Sequence, residues 1–294
     1  MTPPATGSSV KDFPHAGGAT ALAEYIIGEV LPLIRAKYRT LPTAILAGHS
    51  AGGLFALDLA ARRPKTFQGV IAMDPALWFN DSALVVTYSD AIVKSRTSLR
   101  IFVSTGSQEP DIEWTSKRFS ERLDSLRSPS VAVAYRHYPE HIHSMTPLSF
   151  IDGLRFIFEP VSYAHLAIEK VDSVTADSVT LNNALLSSER TYAAAARSLG
   201  LPEELPERMV NRLGYRLLDR KKVSLAISVF KTNVAAYPRS VNVYDSFGDG
   251  LLAAGDTTAA IAQFRMALEV ARQTGTEPQM ETKTKLESLL APKK

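Results

Sequence analysis

Ser50 stands between Gly48 and Gly52, directly after the apolar run Ala44-Ile45-Leu46-Ala47. A serine hydroxyl is a weak nucleophile. Glycines two residues to either side are expected to let the backbone turn sharply and present it at the edge of a sheet. The chemistry served by that placement is acyl transfer. It needs a histidine to take the hydroxyl proton and a carboxylate to orient the histidine, in the chain order serine, acid, histidine. The amide of Ala51, at the start of the following helix, is expected to help hold the oxyanion.

Both partners have candidates in that order. The segment Gly106-Ser107-Gln108-Glu109-Pro110-Asp111 offers two carboxylates after an apolar strand. Glu109 lies nearer the strand end and is preferred to Asp111. Further on come His137, His141 and His143. His143 is preferred because its loop, 140–146, leads straight into a helix. His141 is the fallback, and His137 sits too close to a strand. The His141/His143 spacing could chelate a metal, but no carboxylate–histidine cluster accompanies it, so neither metal nor cofactor is expected.

The elements that must position these residues alternate. Residues 19–38 have helical periodicity, with Leu22, Ile26, Val30, Leu33 and Ile34 on one side and Pro32 expected to kink the end. Strand-like runs follow at 44–47, 69–73, 99–103 and 131–135, with helices after Ser50, at 112–126 and at about 147–158. The stretch 77–98 is read as a loop and helix. Such alternation predicts a parallel sheet of about four strands with right-handed crossovers.

After Glu159-Pro160 no strand-like run appears. Residues 161–207 read as a helical linker. In 208–294 Gly214, Leu218, Ala226 and Phe230 recur as Gly248, Leu252, Ala260 and Phe264, an offset of 34 (248 − 214). That period matches tetratricopeptide-like helix pairs, here two copies with a last helix at 280–290 as cap. The expected domains are therefore 1–160, 161–207 and 208–294.

Composition excludes several classes. A net charge of +3 without a long basic cluster gives no nucleic-acid footprint, and the absence of cysteine excludes disulfides and thiolate chemistry. No apolar run reaches the length of a membrane span and no signal-like segment opens the chain, so a cytoplasmic protein is expected.

The segment from Ala47 to Leu57, AGHSAGGLFAL, resembles the esterase family of α/β-hydrolases that includes esterase D-type enzymes, enterochelin (siderophore) esterases and mycolyltransferases. Asp74-Pro75-Ala76-Leu77-Trp78 resembles the family's acyl-site segment, and His143-Ser144-Met145-Thr146-Pro147 its histidine loop. The resemblance spans roughly 17–160. It implies Ser50 as nucleophile, His143 as base and Glu109 as acid, with His49 and Trp78 in the substrate pocket. It also implies that further strands, and a loop with a second oxyanion amide, precede this region in relatives, so an N-terminally truncated sheet is expected. The function so implied is a serine carboxylesterase acting on short acyl esters. The alternatives are a siderophore esterase, or an impaired hydrolase whose repeats bind a protein partner. An unpaired edge on the first strand further predicts a homo-oligomer.

Overall fold

The computed structural model describes residues 1–107, 109–143, 146–174, 177–277 and 280–291, with 163–174 and 178 as backbone only. The chain divides into two compact units, Met1–Pro160 with Ala195–Pro202, and Val161–Ala194 with Glu203–Lys294.

The first unit runs α1 (Ser9–Asp12), α2 (Ala19–Tyr25), a π-helical turn (Ile26–Val30), α3 (Leu31–Lys37), β1 (Ile45–His49), α4 (Ala51–Arg62) and β2 (Gly69–Met73). It continues with α5 (Leu84–Lys94), β3 (Leu99–Thr105), α6 (Pro110–Ser125), β4 (Val131–His137) and the start of α7 (Thr146–Val174). The four strands are parallel in the order β1-β2-β3-β4, with His49 opposite Met73, Met73 opposite Ser104, and Thr105 opposite His137. Ser50, Asp74, Gly106 and Tyr138 therefore leave the sheet along one carboxyl edge, where α/β folds assemble their sites.

β2 and β3 are the inner strands, and every residue of β2 is buried, as an apolar run covered on both faces requires. Leu54 and Leu57 of α4, Ile92 of α5 and Phe119 of α6 pack with Val70, Ile101 and Val103 of the sheet. On another side Ala19 and Ala23 of α2 meet Phe55, Leu59 and Phe67. This departs from the expected stripe, since Leu33 is 60% and Ile34 39% exposed. The π-helical turn ahead of Pro32 supplies the reason. A wider turn resets the helical phase, so α3 does not continue the face that α2 buries.

Proline 160 lies inside α7 and cannot donate a hydrogen bond to the carbonyl of Phe156, four residues earlier. Arg100 of β3 takes that place. Its Nε and Nη2 donate to the Phe156 oxygen at 3.1 and 2.9 Å, and Nη2 also meets Glu159 Oε2 at 2.9 Å. On α6 the ring of Trp114 is 55% exposed beneath the Arg118 guanidinium, 5.0 Å from its centroid.

The second unit is helical. After α7 come α8 (Ser178–Ser198), α9 (Glu207–Asp219), α10 (Val223–Ala236), α11 (Val241–Ala253), α12 (Thr257–Thr274) and α13 (Met280–Leu290). The 34-residue recurrence returns as packing. A Cβ built on Gly214 would lie 2.3 Å from the Phe230 ring, and one on Gly248 would lie 2.5 Å from the Phe264 ring. Each phenylalanine is seated on the bare backbone of the preceding helix. Lys285 pins α13 to α11 through Asp245 at 3.2 Å and Asp249 at 2.8 Å. Among the described residues, no helix is long and apolar enough to cross a membrane.

Candidate active site

The turn after β1 has the geometry a presented nucleophile needs. Ser50 has φ 56° and ψ −119°, a region that non-glycine residues rarely occupy. The surroundings hold it there: its N–H donates to Met73 O at 2.9 Å, and its carbonyl accepts from Leu54 N at 3.0 Å and Ala76 N at 3.2 Å. Ala51 opens α4, so its amide is one of the first-turn donors that have no acceptor within the helix.

The glycines divide differently from the expectation. A Cβ on Gly48 would fall 2.0 Å from the Gly52 oxygen, so that position admits no side chain. A Cβ on Gly52 would meet nothing within 4 Å. The second close approach belongs to Gly53, whose Cβ would lie 3.1 Å from Pro75.

His143 reaches this turn through His49. The Nε2 of His49 donates to the His143 carbonyl oxygen at 2.5 Å, and the two rings stand 4.4 Å apart. Ser144 and Met145 of the histidine loop, and Gln108 of the acid loop, lie outside the described residues. The two loops interlock, for Ser107 N donates to His141 O at 2.9 Å.

The carboxylate that the structure brings to His143 belongs to Asp74, at the end of β2, with Oδ2 3.6 Å from Nδ1 of His143 and 4.0 Å from Nε2 of His49. Asp74 is 7% exposed and has φ 44°, and its Oδ1 accepts from Gly106 N at 2.8 Å. Burial pushes its carboxyl above the ordinary carboxylate range. The Gly106 amide and then the two imidazoles draw it back, and the charge of Glu109 adds a small push upward. Glu109 itself caps the N-terminus of α6 with its side chain exposed, and Asp111 follows in the first exposed turn. Among the described residues, neither lies within ion-pair distance of His143. Asp74 was not among the carboxylates expected beside His143, although an aspartate directly after a strand at the same edge as Ser50 was a usable signal.

The other candidates are placed elsewhere. His137 ends β4, near Thr105 Oγ1 (3.3 Å), Ser107 Oγ (3.2 Å) and Glu113 Oε1 (3.7 Å). His141 lies beside Tyr138, with ring centroids 6.0 Å apart and the ring planes tilted at 51°. Trp78 is 37% exposed and lies 5.8 Å from the ring of Phe13. Ligand atoms of His49, Asp74 and His143 all fall within 4.8 Å of one another. Because His49 Nε2 carries the proton given to the His143 carbonyl, it has no lone pair for a cation, and the trio reads as a hydrogen-bonding group.

Residues 4–152 match the model of the family described as "Putative esterase". The chain belongs to that family. Among curated relatives of this chain, the siderophore triacetylfusarinine C esterase of Aspergillus fumigatus is 33% identical over 116 residues, covering 37% of this chain and 38% of its own. The ferri-bacillibactin esterase BesA of Bacillus subtilis is 25% identical over 160 residues, covering 51% and 55%. The chain thus spans about half or less of the length of these relatives. A solved IroE-like serine hydrolase from Shewanella oneidensis superposes with a TM-score of 0.61 at 18% identity, over 80% of this chain and 74% of that one, which shows a shared fold.

Proposed function

We propose that this chain is a serine carboxylic ester hydrolase whose substrates are siderophore-type esters. The observation that carries the reading is the strained Ser50 on the turn between β1 and α4, with the His143 loop fastened to the adjacent His49. The relatives named as siderophore esterases favour a chelator ester over the short acyl esters expected from the resemblance alone.

In this mechanism Ser50 Oγ attacks the ester carbonyl while Nε2 of His143 takes its proton. The charge that develops on the carbonyl oxygen is met by the Ala51 amide, a fixed dipole that needs no reorganisation. The tetrahedral intermediate collapses, and the alkoxide leaves with the proton from His143. Water then attacks the acyl-enzyme with His143 again as base, freeing the acid and restoring Ser50. Cutting an ester link in a chelator backbone separates its metal-binding groups. The metal is cargo and takes no part in the chemistry.

Around this reading, the helix pairs of the second unit are taken as tetratricopeptide-like repeats able to hold a protein partner. β1, with β2 as its sheet neighbour and its other edge unpaired among the described residues, is taken as the seam of a homodimer. Sedimentation over a concentration series tests the dimer, and a monomer throughout refutes it.

A fluorophosphonate probe should label Ser50, and triacetylfusarinine C should be cleaved faster than p-nitrophenyl acetate in kcat/KM. Labelling without siderophore cleavage would return the short-acyl reading. No labelling would leave the scaffold reading in its place.

A further inference from the structure

We infer that Asp74, rather than Glu109, is the positioning carboxylate that holds the proton of His143 on Nδ1, leaving Nε2 free to act as base. This rests on the reading of Ser50 and His143 as nucleophile and base. A neutral imidazole carries one ring proton, and a carboxylate facing Nδ1 fixes it on that nitrogen. Nδ1 of His143 is buried and, among the described residues, has no hydrogen-bond partner; the carboxylate oxygen facing it is Asp74 Oδ2 at 3.6 Å. A buried donor left unpaired is destabilising, so closing that gap is favourable, and catalytic hydrogen bonds commonly tighten from their resting length.

Asp74 is held for this task at three points. The end of β2 delivers it to the sheet edge beside Ser50, in register with the end of β3. Its left-handed φ of 44° carries a conformational cost that the surrounding contacts must sustain. The Gly106 amide occupies Oδ1, which leaves Oδ2 to the imidazoles. The neighbouring His49 fixes the loop from the other side by holding the His143 carbonyl. Glu109, by contrast, is exposed on the cap of α6 and reaches the site only as a weak charge at Asp74.

The deciding experiment uses the full chain carrying Ser50→Ala, which keeps the site while removing turnover. An imidazole N–H held by a carboxylate gives a far-downfield proton resonance, assignable to His143 by 15N coupling. That resonance should be present in Ser50→Ala, absent when Asp74→Asn is added, and present when Glu109→Gln is added instead. Asparagine keeps an amide oxygen for the Gly106 N–H, so the loop is preserved, and a retained circular dichroism spectrum checks this. In chains with Ser50 intact, Asp74→Asn should lower kcat by about 10³–10⁴-fold with KM little changed, the scale set by removing such a carboxylate elsewhere. Glu109→Gln should lose far less. The inference is overturned if the resonance survives Asp74→Asn, if it vanishes with Glu109→Gln, or if Ser50→Ala shows none. The NMR result stands even where no ester is cleaved, so it fails independently of the esterase reading.

Discussion

The ring of His49 holds the backbone of His143: Nε2 donates to the His143 carbonyl oxygen at 2.5 Å, and the rings lie 4.4 Å apart. The residue before Ser50 thus fixes the loop that carries His143. His49 was expected to line the substrate pocket, and this contact gives it a second task.

His49→Ala should therefore lower kcat more than it raises KM. One hydrogen bond of about 1.4 kcal/mol corresponds to roughly tenfold in rate. Steady-state kinetics on a single ester measures both constants. A change confined to KM would make His49 a pocket wall alone.

The three glycines of the turn should separate cleanly. Gly52→Ala meets open space and should keep activity within a few-fold, with a slight gain in helix stability. Gly48→Ala should abolish soluble, active protein, because its Cβ would overlap backbone that has nowhere to go. Gly53→Ala should fall between, since Pro75 must give way by a few tenths of an ångström. Thermal melts and probe labelling of the three variants provide the comparison.

Asp74→Asn should raise stability at neutral pH even as it removes activity. Burial raises the Asp74 carboxyl above its unfolded value. The folded state therefore binds the proton more readily than the unfolded chain does, and stability falls as pH rises from the unfolded value through the folded one. Above that window the buried charge is a standing cost, which asparagine does not incur. Urea denaturation at pH 7 and at pH 3.5 should show the variant's advantage at pH 7 and little of it at pH 3.5. A destabilised variant at pH 7 would mean that the carboxylate holds the loop in place.

Arg100 and Pro160 should be coupled. Arg100→Leu leaves the Phe156 carbonyl unpaired at the proline gap and should cost about 1–3 kcal/mol. Pro160→Ala restores the missing N–H, so the same arginine change in that background should cost measurably less. A double-mutant cycle by chemical denaturation reads the difference, and strict additivity would deny the link.

The strands and the sharp turn at Ser50 were legible because they are local. Each is an apolar run bounded by glycine, proline or a polar cluster, and β2 and α13 have the same ends in the sequence reading and in the structure. The carboxylate that faces His143 was not legible, because its place depends on register. Only when Met73 lies opposite Ser104 does Asp74 meet Gly106 and face His143. The buried face of α2 and α3 escaped for a similar reason, since the five-residue π turn breaks the periodicity by which a helical stripe is read. Gly52 and Gly53 are neighbours of one residue type, and only the approach of Pro75 tells them apart.

Both tryptophans, Trp78 and Trp114, belong to the first unit, and the second contains none. Indole emission is therefore an intrinsic reporter for the sheet-bearing half alone, whereas ellipticity at 222 nm sums over the helices of both halves. Trp78, near Phe13, and Trp114, under Arg118, sit in different polar surroundings, so loss of that half should shift the emission maximum. A melt followed by both signals assigns each transition to its half without any label. Coincident curves would mean that the two halves unfold as one cooperative body, and separated curves would give each its own midpoint.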